Sequence, residues 1–304
     1  MLDIGLLGTS GMMPLPDRFL TGLLLRLNGR LMLIDCGEGM QVTMKLMGWG
    51  FKALDTICFT HFHADHISGL PGLLLTIGNS GRTEPITLIG PSGLEQIVKG
   101  LLVIAPELPF QLNYIELNNK QEELTCGEYN ISALALDHRV NCYGYSVFVK
   151  RAGKFLMSKA MENNVPKPLW SRLQKENSIE ENGILYTPDM VLGQPRRGIK
   201  ISYCTDTRPI EDIVEFVKNS DLYIGEGIYG DNEKIEKAIE HKHSTFLETA
   251  ELAKKAQVKE LWLTHYSPAL TDPDAFVEQA RKIFENTHTG FDRMSKTISF
   301  PQED

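Results

Sequence analysis

The segment Thr60-His61-Phe62-His63-Ala64-Asp65-His66 carries three imidazoles and one carboxylate in seven consecutive positions. It follows the run Leu54–Thr60, which is apolar, contains β-branched residues and is therefore typical of a buried strand. A chance group of surface histidines would have no reason to lie at the end of a strand. The segment therefore predicts a metal site built where a strand of an α/β protein ends.

The order of residues in this segment predicts two metal ions rather than one. In an extended chain alternate residues point to the same side, so His61 and His63 can bind one ion while Phe62 turns into the core. Asp65 and His66 follow where the chain turns into a short helix, and this offset suits a second ion. Imidazole nitrogen favours zinc, and the added carboxylate also accommodates manganese or iron.

Further polar residues occupy the same kind of position, each at the end of a strand-like run: His138, Asp206 and His265. Two catalytic metals about 3.5–4 Å apart need ligands from several parts of the chain. Each residue taken alone could equally be an ordinary loop or capping residue, but the shared position favours a common metal site. His241 and His288 have no such setting, and we expect them to be solvated.

A glutamate and a histidine form a second candidate pair. Glu226 ends a strand-like run, and His243 precedes a predicted helix from Thr245 to Gln257. Cutting a phosphodiester requires protonation of the departing oxygen as well as activation of water, and such a pair suits that task. The alternative is a helix cap beside a buried, hydrogen-bonded glutamate.

The candidate residues belong to a set of motifs that runs nearly from end to end: Leu7-Gly8-Thr9-Ser10, Asp35-Cys36-Gly37-Glu38-Gly39, the metal segment, Gly69-Leu70-Pro71-Gly72, Gly90-Pro91, Asp206-Thr207-Arg208-Pro209 and His243-Ser244-Thr245. On these motifs the chain resembles the metallo-β-lactamase superfamily and, within it, the ribonuclease Z family. The resemblance implies an α/β chain folded as an αββα sandwich. It also implies one metallo-β-lactamase-fold hydrolase domain over residues 1–304, with a protruding substrate-binding arm at about 150–198.

The resemblance further implies an activity and a ligand set. The activity is that of an endoribonuclease that cuts the 3′ trailer from precursor tRNA by attack of a hydroxide bridging two divalent metals. It leaves a 3′-hydroxyl on the tRNA and a 5′-phosphate on the trailer. The implied ligands are His61, His63 and His138 for one metal, Asp65, His66 and His265 for the other, and Asp206 as the bridge.

The family also implies catalytic and substrate-binding residues. His243, oriented by Glu226, would protonate the departing 3′ oxygen, and Asp65 would orient the attacking water or accept its proton. The early loop Pro14–Phe19 lies near the scissile end in the family and contributes Arg18. In the arm, the family's Gly-Pro is matched by Lys167-Pro168, with Arg172 a few residues further on. That arm grips the tRNA elbow, often across a homodimer.

Charge is distributed unevenly along the chain. The whole chain carries a formal net charge of −8, whereas residues 150–200 contain ten Lys and Arg against five acidic residues, a local balance of +5. Because phosphate binding depends on local cations, this segment suits an RNA-binding arm. A solvated surface insertion with no partner would have a similar composition.

Composition indicates a soluble protein, and strand and helix patterns that alternate without a repeat or a long Gly/Ser linker indicate one α/β domain. With 304 residues, 42% hydrophobic and 23% charged, the chain can bury a large core, and it contains no run apolar enough to span a membrane. The first residues enter a strand directly, with no basic signal-peptide region. Five cysteines without a Cys-x-x-Cys motif indicate buried thiols in a reducing compartment, so we expect a cytoplasmic protein.

Several functions remain open on the residues alone. The first alternative is a divergent dimetal phosphodiesterase with another nucleic-acid or small phosphodiester substrate. A thioester or lactone hydrolase could use the same metals. A non-enzymatic RNA-binding protein on an inactive hydrolase scaffold is disfavoured, because all seven predicted ligands are present.

Overall fold

The computed structural model describes residues 1–301 and consists of helices packed on two large sheets. The helices are α1 (Met40–Met47), α2 (Ala64–Ile67), α3 (Leu70–Asn79), α4 (Leu94–Leu101), α5 (Met157–Glu162), α6 (Glu211–Val217), α7 (Ile235–His241), α8 (Phe246–Lys255) and α9 (Asp274–Ile283). Short 3-10 helices span Leu102–Ile104, Lys167–Leu169, Pro188–Met190 and Asn232–Lys234. No helix within residues 1–301 is long and apolar enough to cross a membrane.

The strands alternate with these helices along the chain. They are β1 (Leu2–Gly8), β2 (Gly22–Leu27), β3 (Arg30–Ile34), β4 (Leu54–Cys58), β5 (Ile86–Pro91), β6 (Leu112–Leu117), β7 (Gln121–Cys126), β8 (Tyr129–Ala135), β9 (Tyr143–Arg151), β10 (Ile179–Glu181), β11 (Ile184–Tyr186), β12 (Arg196–Cys204), β13 (Leu222–Glu226), β14 (Leu261–Thr264), β15 (Thr287–Thr289) and β16 (Ser295–Ile298).

The first sheet has the strand order β16-β1-β2-β3-β4-β5-β6. From β3 to β6 the strands are parallel, and each crossover returns through a helix, which is how parallel neighbours are joined. Helices α1, α3 and α4 cover one face of this sheet. Met44, Leu73 and Val98 of these helices are buried against strand residues such as Leu33 and Ile57.

The second sheet has the order β15-β14-β13-β12-β9-β8-β7 and combines a parallel half with an antiparallel half. Helices α6, α8 and α9 cover it through a second buried cluster that includes Phe246, Ala250 and Leu261.

The two sheets face each other across their uncovered sides. The hydroxyl of Tyr145 on β9 donates to the carbonyl of Phe59 at 2.6 Å, and the hydroxyls of Tyr203 and Thr21 lie 3.2 Å apart. Helices thus lie outside two stacked sheets, and the predicted αββα sandwich is confirmed.

The chain divides into two compact units, of which the second comprises residues 149–199 and 300–301 of the described chain. This second unit contains α5 and the β10–β11 hairpin and has a small core of its own that includes Ala160, Leu169 and Leu173. The predicted arm at 150–198 falls within it. Its role in binding substrate stays a prediction.

Candidate metal centre

Four strands of the first unit end where the predicted ligands begin. These strands are β4, β8, β12 and β14, and they are followed by His61, His138, Asp206 and His265. Strand β4 ends at Cys58, earlier than the sequence predicted, because the amide of Thr60 donates to Oδ1 of Asp35 at 2.8 Å instead of joining a strand ladder. The backbone amide after the strand end is therefore bonded to Asp35 rather than to a neighbouring strand.

Three residues at the site have left-handed backbone conformations. Asp35, Asp206 and His265 have φ angles of 62°, 55° and 61°. Non-glycine residues seldom adopt this conformation, and strain of this kind concentrates at functional sites. Asp35 and His265 directly follow a strand and Asp206 lies two residues after one, so the turn redirects each side chain toward the site.

A first group of imidazoles comprises His61, His63 and His138. Nε2 of His61 lies 2.9 Å from Nδ1 of His63, and Nε2 of His138 lies 3.4 Å from the same Nδ1 atom. Three neutral nitrogen ligands converging on one point are a suitable set for zinc. The structure therefore brings together the three residues predicted for one metal.

A second group comprises Asp65, His66 and His265. Nε2 of His66 lies 3.2 Å from Nε2 of His265, although 199 positions separate the two residues in the chain. Oδ2 of Asp65 lies 3.6 Å from each of these nitrogens. These are the three residues predicted for the other metal.

Asp206 lies between the two groups. Its Oδ1 atom is 4.0 Å from Nε2 of both His61 and His138, and its Oδ2 atom is 3.3 Å from Nε2 of His66 and 3.4 Å from Nε2 of His265. Oδ2 is buried and has no hydrogen-bond partner within the described part of the chain. An unsatisfied buried carboxylate oxygen is costly, and a cation bound there would remove that cost. The residues present therefore fit divalent cations.

Three of the imidazoles, those of His61, His66 and His138, are fixed from behind by hydrogen bonds on their Nδ1 atoms. Nδ1 of His66 lies 2.9 Å from Oδ2 of Asp35, and Nδ1 of His138 lies 3.1 Å from the carbonyl of Lys242. Nδ1 of His61 likewise lies 3.0 Å from Oγ1 of Thr60. Contacts of this kind set the tautomer, so that Nε2 faces the site.

The Asp35-Cys36-Gly37 turn is attached directly to the metal segment. The amide of Cys36 donates to the carbonyl of His66 at 2.7 Å, and the amide of Gly69 donates to the carbonyl of Cys36 at 3.0 Å. A Cβ atom on Gly69 would lie only 2.0 Å from the carbonyl oxygen of Gly37, so this close approach requires glycine. The turn thereby holds Asp35 behind His66.

Burial and the nearby carboxylates act in opposite directions on the pKa values of the histidines in the site. Burial lowers the pKa of His61 well below its usual value and keeps this ring neutral. Burial has the same tendency at His66, but Asp206 and Asp35 outweigh it and raise the pKa of His66 to about 9. A proton therefore occupies this imidazole unless a metal cation replaces it.

Glu226 and His243 form a buried pair beside the second group. Oε1 of Glu226 lies 2.6 Å from Nδ1 of His243 and 3.2 Å from Nδ1 of His265. Oε2 accepts a hydrogen bond from the amide of Ser244 at 2.7 Å. Burial opposes the charged form of His243, but Glu226 and Asp206 raise its pKa above the usual value. The ring is thus suited to donate a proton.

The backbone around His243 is fixed by a helix cap and an ion pair. Helix α8 begins after Thr245 with the predicted capping box, in which Thr245 and Glu248 exchange hydrogen bonds. Glu248 also pairs with Arg208, whose guanidinium donates to the carbonyl of His243. The alternative to a catalytic pair was a helix cap beside a buried glutamate. Both features are present, and they hold the His243 ring in place.

Of the predicted substrate-binding residues, Arg18 belongs to the first unit and Lys167, Pro168 and Arg172 belong to the second. Arg18 lines a separate cavity of about 460 Å³, where its Nη2 donates to the carbonyl of Leu270 at 2.9 Å and its guanidinium lies 5.6 Å from the centre of the Tyr266 ring. In the second unit, Lys167 and Pro168 form part of a 3-10 helix, and Arg172 pairs with Glu176 at 2.9 Å.

Two contributors were missed at the sequence level. Asp35 was recognised only as part of a motif, and its contact with His66 spans 31 positions. His241 is half-buried and lines the cleft beside the metal residues, where its Nδ1 lies 3.0 Å from Arg139, a position that the sequence did not indicate. Asp35 could have been identified as a polar residue directly after β3. No local feature of the sequence distinguishes His241.

The stacked sheets and the His/Asp cluster at their strand ends define a metal-dependent hydrolase of the metallo-β-lactamase fold. The metallo-beta-lactamase fold protein YhfI from Bacillus subtilis shares this fold, with a TM-score of 0.70 at 19% identity, covering 97% of this chain and 98% of its own. The family model described as Anti-Pycsar protein Apyc1 matches residues 2–180.

Closer relatives identify the family. Ribonuclease Z from Lachnoclostridium phytofermentans is 57% identical over 304 residues, which is 100% of both chains. The crystal structure of human tRNase Z, short form, has a TM-score of 0.70 at 26% identity, covering 99% of this chain and 100% of its own. The chain belongs to the ribonuclease Z family.

Proposed function

We propose that this chain is an endoribonuclease that cuts the 3′ trailer from precursor tRNA. The observation that carries the proposal is the position of Asp206, one of whose oxygens faces the first imidazole group and the other the second. The full-length ribonuclease Z relative at 57% identity supports precursor tRNA as the substrate over another phosphodiester.

The two groups would hold two divalent metal ions, with zinc favoured by the five imidazoles and manganese or iron as alternatives. His61, His63 and His138 would hold one ion, Asp65, His66 and His265 the other, and Asp206 would bridge them. When bound, the ions lower the pKa of water and offset charge on the phosphoryl oxygens. The unsatisfied Oδ2 atom of Asp206 supports this assignment.

The chain's own residues supply the proton transfers. Asp65 lines the cleft, where it can orient the attacking water or accept its proton, and its Oδ2 atom is fixed by the amide of Met12 at 2.7 Å. On the other side of the reacting phosphate, His243 donates a proton to the 3′ oxygen that leaves. Glu226 holds the donating ring in orientation and, against the effect of burial, raises its pKa, which favours the charged form. The products are a tRNA with a 3′-hydroxyl and a trailer with a 5′-phosphate.

Binding of the tRNA body is assigned to the second unit and to Arg18. Residues 150–200 carry a local charge of +5, which suits contact with phosphates through Lys167 and Arg172, while Pro168 fixes the backbone next to Lys167. We further propose a homodimer in which this arm serves the partner, as the family resemblance implies. The five cysteines are free thiols, which supports a reducing compartment and hence the cytoplasm.

The proposal is tested by mapping the cut. Zinc-loaded protein is incubated with a 3′-extended precursor tRNA, and both products are sequenced and their end groups identified. We expect one cut, just after the discriminator base or after CCA, leaving a 3′-hydroxyl and a 5′-phosphate. Cuts spread along the RNA, or a 3′-phosphate on the tRNA product, would contradict the proposal.

A further inference from the structure

The loop between β8 and β9 separates the catalytic cleft from a neighbouring cavity. His138 and Arg139 of this loop line the cleft, whereas Val140 and Asn141 line a second cavity of about 280 Å³. His63 lines both spaces. The second cavity therefore adjoins the candidate metal centre through one of its proposed ligands.

The walls of the second cavity are mostly apolar. Phe62, Pro91, Ile97 and Val140 supply the apolar surface, and Ser92 and Asn141 supply polar groups at its margin; we call the space formed by these six residues the base cavity. Aromatic and aliphatic walls with a few hydrogen-bonding groups suit a planar heterocycle better than a phosphate or a sugar.

The neighbouring Arg139 adds a cation at the edge of the cleft. Its Nη2 atom donates to the carbonyl of Glu240 at 2.7 Å and lies 3.0 Å from Nδ1 of His241. These contacts hold the guanidinium beside the metal residues. Because guanidinium groups bind phosphate oxygens in a defined geometry, Arg139 suits a backbone phosphate next to the base cavity.

We propose that the base cavity binds the nucleobase on the 3′ side of the cut, that is, the first base of the trailer. Arg139 binds the phosphate at the cut, to which that nucleotide is joined. This inference rests on the proposed function, because the side of the cut is assigned from His243. The His243 ring lines the cleft, 5.8 Å from the ring of His265 and 5.3 Å from the ring of His138, and the 3′ oxygen that it protonates leaves beside it. The base cavity is lined by His63 and not by His243, so it receives the nucleotide that keeps the phosphate.

The proposal is tested with small esters, which do not depend on tRNA recognition. Zinc-loaded protein is assayed on thymidine 5′-(p-nitrophenyl phosphate) and on methyl p-nitrophenyl phosphate, which has the same leaving group and no base. Stacking and burial of the base should raise kcat/KM for the thymidine ester about tenfold over the methyl ester. Thymidine 3′-(p-nitrophenyl phosphate) should show no such advantage.

Val140→Trp fills the base cavity and should reduce this ratio of kcat/KM values to about one. Val42→Trp on α1 is the matched control, since the two valines are 40% and 45% exposed, and it should keep the wild-type ratio. If Val140→Trp lowers both activities through misfolding, Asn141→Ala keeps the cavity open and should still lower the ratio about fivefold by removing one hydrogen bond. Arg139→Ala should lower kcat/KM for both esters by a similar factor.

The outcomes separate this inference from the proposed function. A wild-type protein that cuts precursor tRNA but shows no preference for the thymidine 5′ ester overturns the base cavity and leaves the function standing. A preference that is abolished by Val140→Trp, in a protein that leaves precursor tRNA intact, supports the base cavity and overturns the function. A preference for the 3′ ester would overturn the assignment to the trailer side.

Discussion

Oε1 of Glu226 lies 2.6 Å from Nδ1 of His243, and the same oxygen lies 3.2 Å from Nδ1 of His265. One buried carboxylate therefore holds both the proposed proton donor and a proposed metal ligand. Replacement of Glu226 should disturb two functions at once, whereas replacement of His243 should disturb only one. This difference is the basis of the first two predictions.

Replacing His243 with Ala should lower kcat on precursor tRNA by about 10²–10⁴-fold, because the 3′ oxygen must then leave without a proton donor. The loss should be much smaller on a p-nitrophenyl ester, whose leaving group needs no proton. Metal content should stay at the wild-type level in mass spectrometry. His288→Ala, at a half-exposed position hydrogen-bonded to Asn286, is the control and should behave as wild type. Loss of metal in His243→Ala would make His243 a ligand instead.

Replacing Glu226 with Gln should shift the pH dependence of cleavage. Glu226 raises the pKa of His243 against the effect of burial, and activity is lost as pH rises through that pKa because the donor becomes neutral. Without the charge the pKa falls, so the alkaline decline in kcat should move to lower pH when metal is saturating. An unchanged alkaline limb would separate His243 from the proton transfer.

Replacing Asp35 with Asn should weaken metal binding although Asp35 touches no proposed metal position. Asp35 accepts hydrogen bonds from Thr60 and fixes Nδ1 of His66 at 2.9 Å, and loss of such outer contacts typically costs about 10–100-fold in metal affinity. Zinc affinity is measured by competition with a chromogenic chelator. Excess zinc should restore cleavage; activity that stays low at full metal occupancy would contradict a purely orienting role.

Zinc binding should release protons near pH 7. In the metal-free protein Asp206 and Asp35 outweigh burial and raise the pKa of His66 from 6.5 to about 9. The resulting stabilisation of the apoprotein is fully present below pH 6.5 and is lost as pH rises through about 9. Because zinc must displace this proton, its affinity should rise over the same interval. Calorimetry at pH 7 in buffers of different ionisation enthalpy measures the release; heats independent of the buffer would exclude it.

Charge reversal of Lys167 and Arg172 should weaken binding of precursor tRNA and leave hydrolysis of a small phosphodiester at the wild-type rate. Each lost phosphate contact should reduce the slope of log K against log salt by about one. The matched control is Lys218→Glu. Lys218 lies on the surface directly after α6, where it pairs with Glu215. Equal losses on both substrates would count against a separate tRNA-binding surface.

The sequence predicted those parts of the site that depend on strand ends. His61, His138, Asp206 and His265 were recognisable because each is a polar residue after an apolar or alternating run, and the sandwich brings these strand ends together. The assignment of ligands to two groups came from the family resemblance and stays a prediction, although the residues of each group lie close together. The αββα sandwich that the resemblance implied was confirmed as well, because helices cover the outer faces of two large sheets.

The sequence could not supply contacts made across long separations without a local pattern. The carbonyl of Lys242 holds His138 across 104 positions, and any residue at that position offers the same carbonyl. The base cavity likewise combines Phe62 and Val140 from different loops, and neither residue type indicates a cavity. Strand β4 was also predicted to end two residues too late, at Thr60 instead of Cys58, because the amide of Thr60 donates to the Asp35 carboxylate instead of forming a ladder bond.

The central claim is that a two-metal cluster in this chain cuts precursor tRNA, and titration of the metal-free protein with zinc tests it most directly. Cleavage of a 3′-extended precursor tRNA, mapped to the nucleotide, is followed as zinc is added in fractions of an equivalent. We expect no cut without metal and a single cut whose rate levels off at about two zinc ions per chain. A plateau at one equivalent, or cleavage by the metal-free protein, would contradict it.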